Sequence, residues 1–299
     1  MKNSSVKNLD LLDRARLSTA EKDRNPSSNP LVTAPPGITS YEICRGLRNH
    51  EFASYYQPKL SLKDGTITGA EVLARWNHPQ RGVLSPSQFL PAIQHHDLID
   101  ELFFEMLEQG VLLRRTLSAF GFPMELAFNL QPSQLGCKSF SNTIRHWLEQ
   151  YQCPASRITF EVTETGSMHL SPACLKNLLQ LRILGCNLSM NDFGTAFSSL
   201  EHLCDLPFNE LKLEGSFVQR LHSHPSCRIV VENTIQLANT LGLSLVIEGV
   251  ETVAQMKELE ALGCPMVQGF AIARPMPEQQ FIDYCLQYIA QPRNTSLCA

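Results

Sequence analysis

Asn191 and Asp192 close a short apolar run and stand directly before Phe193-Gly194-Thr195. A carboxylate and an amide at a strand end, beside a glycine-containing polar loop, suit metal and phosphate chemistry, because hard cations take oxygen ligands. The next short run, Leu211-Lys212-Leu213-Glu214, sets one lysine among apolar neighbours. Similar polar groups recur on other short apolar runs: Gln57, Glu71 with Arg75, Asn129, Glu161 with Glu164, Glu248 with Glu251, and Gln268. Carboxylates and amides without a His or Cys cluster select Mg²⁺ or Mn²⁺ rather than zinc. Two such ions, roughly 3.5–4 Å apart, activate a water and stabilise the leaving oxygen of a phosphodiester. A lysine in the set would position that water or balance phosphate charge, and a carboxylate not used by metal would take its proton.

The runs that carry these residues span 53–56, 67–74, 126–130, 158–162, 187–190, 210–213, 243–247 and 266–267. Helix-length segments lie between most of them, at 97–117, 139–150, 173–184, 227–241 and 253–262. Gly185, Gly242 and Gly263 stand where helix C-caps are expected, because glycine enters the left-handed region without a Cβ clash. Strand-like runs alternating with helices over this length point to an α/β fold, a closed (β/α)8 TIM-like barrel. A doubly wound open sheet is the alternative, but no Gly-x-Gly-x-x-Gly follows the first run. Such barrels place their active sites at the C-terminal ends of the strands. There almost every run delivers an oxygen ligand, an amide or a lysine, which scattered surface charges would not do.

Composition narrows the classes further. A net charge of −4 disfavours direct DNA binding. Ten cysteines without a CxxC pair fit a reduced, cytoplasmic protein rather than a disulfide scaffold. No apolar run is long enough for a membrane span, and the N-terminus lacks a secretory signal. Residues 1–38 are polar and read as a disordered tail, with a weak amphipathic helix at 9–22 as the alternative. The barrel is expected over 39–290, a short tail over 291–299, and no receiver or sensor domain ahead of it.

Glu71-Val72-Leu73-Ala74-Arg75-Trp76, followed by His78-Pro79, resembles the Glu-Ala-Leu-x-Arg-Trp signature of EAL domains. These are (β/α)8 barrels that bind cyclic di-GMP and, when active, hydrolyse it to the linear dinucleotide. The similarity runs from about Tyr41 to Tyr288. It takes in Gln57-Pro58, Asn129-Leu130, Glu161-Val162-Thr163-Glu164, Asp192-Phe193-Gly194-Thr195, Lys212, Glu248-Gly249-Val250-Glu251-Thr252 and Gln268-Gly269-Phe270. The resemblance implies Mg²⁺ or Mn²⁺ held by Glu71, Asn129, Glu161 and Asp192, with position 191 as a ligand shared between two metals. It implies Glu248 as a ligand or base near the second metal and Lys212 as a contact of the catalytic water. Glu164 would hold the loop after Asp192, and Glu251 would support the site. Gln57, Leu73, Arg75 and Gln268 would contact cyclic di-GMP.

Departures from the family pattern shape the expected activity. Active members carry two aspartates where this chain has Asn191-Asp192. An amide is neutral and offers one good oxygen donor. The second metal should therefore bind poorly, and turnover should fall by orders of magnitude, each 1.4 kcal/mol being about tenfold in rate. Glu214 stands for a usual aspartate, Gln94 for a glutamate, Ala196 for a glycine and Phe197 for a tyrosine. The expectation is a regulatory protein with little or no phosphodiesterase activity. It would act in cyclic di-GMP-linked control of gene expression, repressor-like and indirect, with a protein partner and a homodimer contact near the fifth and sixth strand ends. The alternative is an active metal-dependent cyclic di-GMP phosphodiesterase.

Overall fold

A computed structural model describes residues 37–163, 171–195 and 200–290. Residues 1–36 of the polar tail, with the helix considered at 9–22, lie outside the described residues, as do 291–299, Glu164, Ala196 and Phe197.

Among the described residues helix α1 (Ser40–Arg48) comes first, with a capping box, Thr39 and Glu42 bonding each other's backbone. Strands β1 (Phe52–Ser61) and β2 (Thr66–His78) form an antiparallel hairpin, and β3 (Gly82–Leu84) adds to the outer end of β2. Then come α2 (Pro86–His95), α3 (Ile99–Ala119), β4 (Glu125–Leu130), α4 (Pro132–Leu135), α5 (Phe140–Gln150), β5 (Ile158–Thr163) and α6 (Pro172–Leu184). Next are β6 (Asn187–Phe193), α7 (Leu200–Asp205), β7 (Glu210–Leu213), α8 (Ser216–Gln219) and α9 (Pro225–Leu241). The described chain ends with β8 (Ser244–Ile247), α10 (Val253–Ala261), β9 (Met266–Gln268), β10 (Met276–Pro277) and α11 (Glu278–Ala290). Gly185 and Gly242 cap α6 and α9 in the left-handed region, at φ 102° and 68°, as their positions in the sequence require.

Strands β2 and β4–β9 run parallel in that order, and β9 returns to pair with β1, Lys59 opposite Gln268. The sheet is closed, which excludes the open doubly wound alternative. One feature departs from a regular βα repeat. The first strand is joined to the second by a hairpin rather than a helix, so β1 runs antiparallel to both neighbours. Gln57 therefore does not follow the end of the first strand. It lies in mid-strand, directly opposite Glu71.

Alternation along each strand sorts the side chains into two layers. In β5, Ile158, Phe160 and Val162 are buried against the helices, while Thr159 and Glu161 face the lumen. In β7, Leu211 and Leu213 take the outer layer, and Glu210 and Lys212 the inner. The outer layer is the apolar core: Leu126, Phe128, Leu188, Met190 and Leu245 pack with it against helices such as α3. Gly110 of α3 is forced, since a Cβ there would come within 2.6 Å of the Phe128 ring. Among the described residues no helix is long and apolar enough to cross a membrane.

Candidate active site

The lumen of this barrel is polar. Lys212 is 1% exposed, and its Nζ meets three carboxylates: Glu161 Oε2 at 2.6 Å, Glu248 Oε1 at 2.5 Å and Glu71 Oε2 at 3.3 Å. The lysine comes from β7 and the carboxylates from β2, β5 and the loop after β8; β7 and β8 are neighbours, while β2 and β5 reach the lysine across the interior. Burial works against the Lys212 ammonium, but Glu161, Glu71 and Glu248 outweigh it and hold its pKa well above the usual lysine value.

Amides complete the cluster. Asn129 Nδ2 donates to Glu71 Oε1 at 2.7 Å, and Gln268 Nε2 donates to Glu71 Oε2 at 2.8 Å and to Gln57 Oε1 at 3.2 Å. Gln57 Nε2 donates in turn to the Ala273 carbonyl at 3.2 Å. Burial would raise the Glu71 pKa, but Lys212, Asn129 and Gln268 bring it down to about 2. Glu161 goes the other way. Full burial and the adjacent Glu71 push it up to about 7, against the pull of Lys212 and Lys59. Burial also raises Glu248 and the half-buried Asp192. Asp192 holds a φ of 55°, in the left-handed region.

Loop glycines set the height of Glu248. Gly249 has φ 67°, and a Cβ there would lie 2.6 Å from Gly215 Cα. The loops after β7 and β8 thus cross in backbone contact, which brings the Glu248 carboxylate onto Lys212. Gly194, at φ 97°, leaves similar room for the Phe217 ring after Asp192.

The other expected residues are placed as follows. Leu73 and Arg75 share the inner face of β2 above Glu71, and the Arg75 guanidinium lies 5.4 Å from the centre of the Tyr55 ring. Glu251 is exposed, apart from the buried cluster. Glu214 turns its carboxylate onto Ser216, accepting from the backbone N–H at 3.0 Å and from Oγ, so its extra length is taken up locally. Gln94 is exposed on α2. Two residues of the interior were absent from the expected set. Lys59 Nζ bonds Glu161 Oε1 at 3.0 Å and Glu210 Oε1 at 3.3 Å. The signal for Lys59 was its place two residues after Gln57, on the same strand face.

Among the described residues no three Asp, Glu, His or Cys side chains form a ready metal cage. The donor chemistry still fits a hard cation, since carboxylates and amide oxygens supply all of it. Asn191 Oδ1 and Gln268 Oε1 are buried acceptors without a hydrogen-bond partner. An unpaired buried acceptor is unfavourable, and a cation or a ligand donor would satisfy both.

A closed barrel with one reversed strand, and a buried lysine ringed by carboxylates and amides at its mouth, defines an α/β barrel whose polar centre has the oxygen donors a hard cation takes. The chain belongs to the EAL domain family, whose model matches residues 41–275. It is 48% identical over 244 residues to the cyclic di-GMP phosphodiesterase RocR of Pseudomonas aeruginosa, a match covering 82% of this chain and 62% of RocR. It is 35% identical to the bifunctional diguanylate cyclase/cyclic di-GMP phosphodiesterase MucR of the same organism, over 81% of this chain and 36% of MucR. The chain thus spans less than two thirds of these relatives. The solved MucR phosphodiesterase in a c-di-GMP complex superposes with a TM-score of 0.75 at 35% identity, covering 81% of this chain and 98% of that one. The EAL enzyme Bd1971, solved with cAMP and cyclic di-GMP bound, gives 0.76 at 27% identity, over 93% and 72%.

Proposed function

We propose that the chain is a metal-dependent phosphodiesterase that opens cyclic di-GMP to the linear dinucleotide. The observation that carries this reading is the Lys212 cluster, in which Glu71, Glu161 and Glu248 converge on one ammonium with amide donors around them. The name of the 48% identical relative RocR, a cyclic di-GMP phosphodiesterase, supports the substrate. The expectation of a repressor-like regulator has no comparable support from the site or from the relatives.

In this reading Glu71, Asn129, Glu161, Asn191 and Asp192 would hold Mg²⁺ or Mn²⁺, with Glu248 beside them. When bound, the ion supplies positive charge to the developing phosphodiester transition state. Gln57, Leu73, Arg75 and Gln268 bind and orient the dinucleotide at the mouth. Lys212 holds the attacking water in line, and Glu248, whose pKa burial raises, takes its proton. The water oxygen bonds to phosphorus, one ester P–O bond breaks, the departing ester oxygen takes a proton from solvent, and a linear dinucleotide leaves.

One specific observation favours a second reading, a receptor that binds without turnover. The amide of Asn191 stands where a carboxylate would add a negative charge. Hydrolysis of cyclic di-GMP with Mg²⁺ and with Mn²⁺, for wild type beside Asn191→Asp, separates the two. Turnover by wild type is expected, with Asn191→Asp faster by about tenfold or more. Binding in Ca²⁺ with an inert wild type and an active Asn191→Asp would establish the receptor instead.

A further inference from the structure

Lys59 enters the lumen on β1, which runs antiparallel to the barrel strands on either side of it. It stands opposite Gly69, two residues nearer the N-terminal end of β2 than Glu71, so its ammonium meets Glu161 from the floor side of the barrel. It is 5% exposed, and it is held between Glu161, at the level of the Lys212 cluster, and Glu210, on the first residue of β7. Glu161 is fully buried, and each of its oxygens carries one ammonium: Oε1 takes Lys59 and Oε2 takes Lys212. The result is a ladder of alternating charge, Glu210–Lys59–Glu161–Lys212, that ends on Glu71 and Glu248. Without Lys59, Glu161 Oε1 would be buried beside like charges with no ammonium, and the carboxylate would be free to rotate about its own axis.

We propose that Lys59 is a positioning residue of this site: it pins Glu161 Oε1 from the floor side, with Glu210 as its anchor, so that Oε2 stays aimed at Lys212 and the mouth. The role rests on reading the mouth as a metal-dependent phosphodiesterase centre. Groups that orient the ligands of a metal change affinity or activity by about 10–100-fold when removed. They do this without touching the substrate, so the loss should fall on kcat and on metal affinity rather than on KM.

The test uses full-length Lys59→Met, which keeps the length of the side chain without its charge, and Glu210→Gln, which weakens only the anchor. Mn²⁺ affinity is read from the electron paramagnetic resonance signal of the free ion, and cyclic di-GMP hydrolysis gives kcat and KM. Lys59→Met is expected to bind Mn²⁺ about 10–100-fold more weakly and to lose kcat to a similar extent, with KM within about twofold of wild type. Glu210→Gln is expected to follow in the same direction, by less. A folded Lys59→Met with wild-type Mn²⁺ affinity and kcat overturns the proposal, and so does a loss carried mainly by KM. If Lys59→Met does not fold, Glu210→Gln decides: weaker Mn²⁺ binding supports the role, and wild-type binding overturns it. A wild type that binds Mn²⁺ but turns nothing over removes the phosphodiesterase reading and leaves the Mn²⁺ titration to judge Lys59. A wild type that binds no Mn²⁺ overturns the role itself.

Discussion

The two ends of the barrel use the same side-chain types for opposite purposes. At the floor, Lys59 faces Glu210 and the lower oxygen of Glu161, and the surrounding Thr68, Glu125, Thr159 and Met266 leave a cavity of about 10 Å³, hardly room for one water. At the mouth, one ammonium serves three glutamates, Asp192 lies half-buried beside them, and Asn129 is exposed to solvent. The floor is close to charge balance and leaves little space. The mouth carries excess negative charge in an open cleft, with buried acceptors still unpaired. Buried ion pairs are weak evidence for stability in themselves. What distinguishes a structural pair from a reactive one here is the surplus of acceptors and the access of solvent.

The largest effect should come from removing the cation on which the three glutamates converge. Lys212→Met leaves the buried Glu71 and Glu161 and the partly exposed Glu248 facing one another, and breaking such a set costs about 3–5 kcal/mol. Urea denaturation is expected to show that loss in the metal-free protein, and hydrolysis of cyclic di-GMP is expected to fall below detection. Full wild-type stability would mean that the carboxylates relax into solvent and that the mouth is looser than its geometry implies.

Gly249→Ala should come next. It forces a left-handed φ on alanine and a contact with Gly215 Cα, with a cost of about 1–3 kcal/mol for the backbone alone. The displaced Glu248 should lower kcat as well. A thermal melt and a rate measurement on the same sample check both.

The pH dependence sharpens the contrast within the mouth. Glu161, raised from 4.5 to about 7, stabilises the fold while protonated. Its contribution is complete below pH 4.5 and is lost as the pH rises through 7. Glu71, lowered to about 2, acts the other way, its contribution present above pH 4.5 and lost as the pH falls toward 2. In chelator, stability is expected to decline between pH 4.5 and 7.5, and Glu161→Gln is expected to flatten that decline. An unchanged slope in the variant would place the titration on another group.

The smallest effect belongs to the floor rim. Glu125 is 44% exposed and 3.6 Å from Arg157. Glu125→Gln should shift stability by no more than about 0.5 kcal/mol and leave turnover at the wild-type level. A marked loss of activity would mean that the floor communicates with the mouth by a route other than Lys59.

Much of this arrangement was legible in the sequence. Every strand-like run found its strand, because buried strands read as short apolar runs and two of the helices between them are capped by Gly185 and Gly242, while a third is capped by Leu262, one residue before Gly263. Glu71, Asn129, Glu161, Lys212 and Gln268 came together because parallel strands put their C-terminal ends at one face. The direction of β1 was not legible. An apolar run followed by a polar residue looks the same for either direction, so Gln57 was read as a strand end and Lys59 was passed over. The hydrogen bond between Gln57 and Gln268 depends on closure, which no local pattern announces. The orphaned Asn191 oxygen likewise depends on what stands around it, and not on its neighbours along the chain.

The reversed first strand has a consequence for how the molecule is made. Gln57 and Gln268 bond each other 211 positions apart, so the seam between β1 and β9 is among the most non-local contacts of the described chain. Contacts of such high order form slowly, because a long loop must close before they repay it. During synthesis the hairpin of β1 and β2 emerges first and keeps one open edge, a template for unwanted pairing, until β9 arrives. Gln109 of α3 shields part of that edge, accepting from the Ser54 N–H at 2.7 Å and donating to the Phe52 carbonyl at 2.9 Å. Pulse-labelled hydrogen exchange during refolding should find the β1–β9 amides among the last protected. Gln57 and Gln268 then meet only at that final step, so a ribosome-bound chain that lacks β9 is a scaffold with no complete mouth, whatever ligand surrounds it.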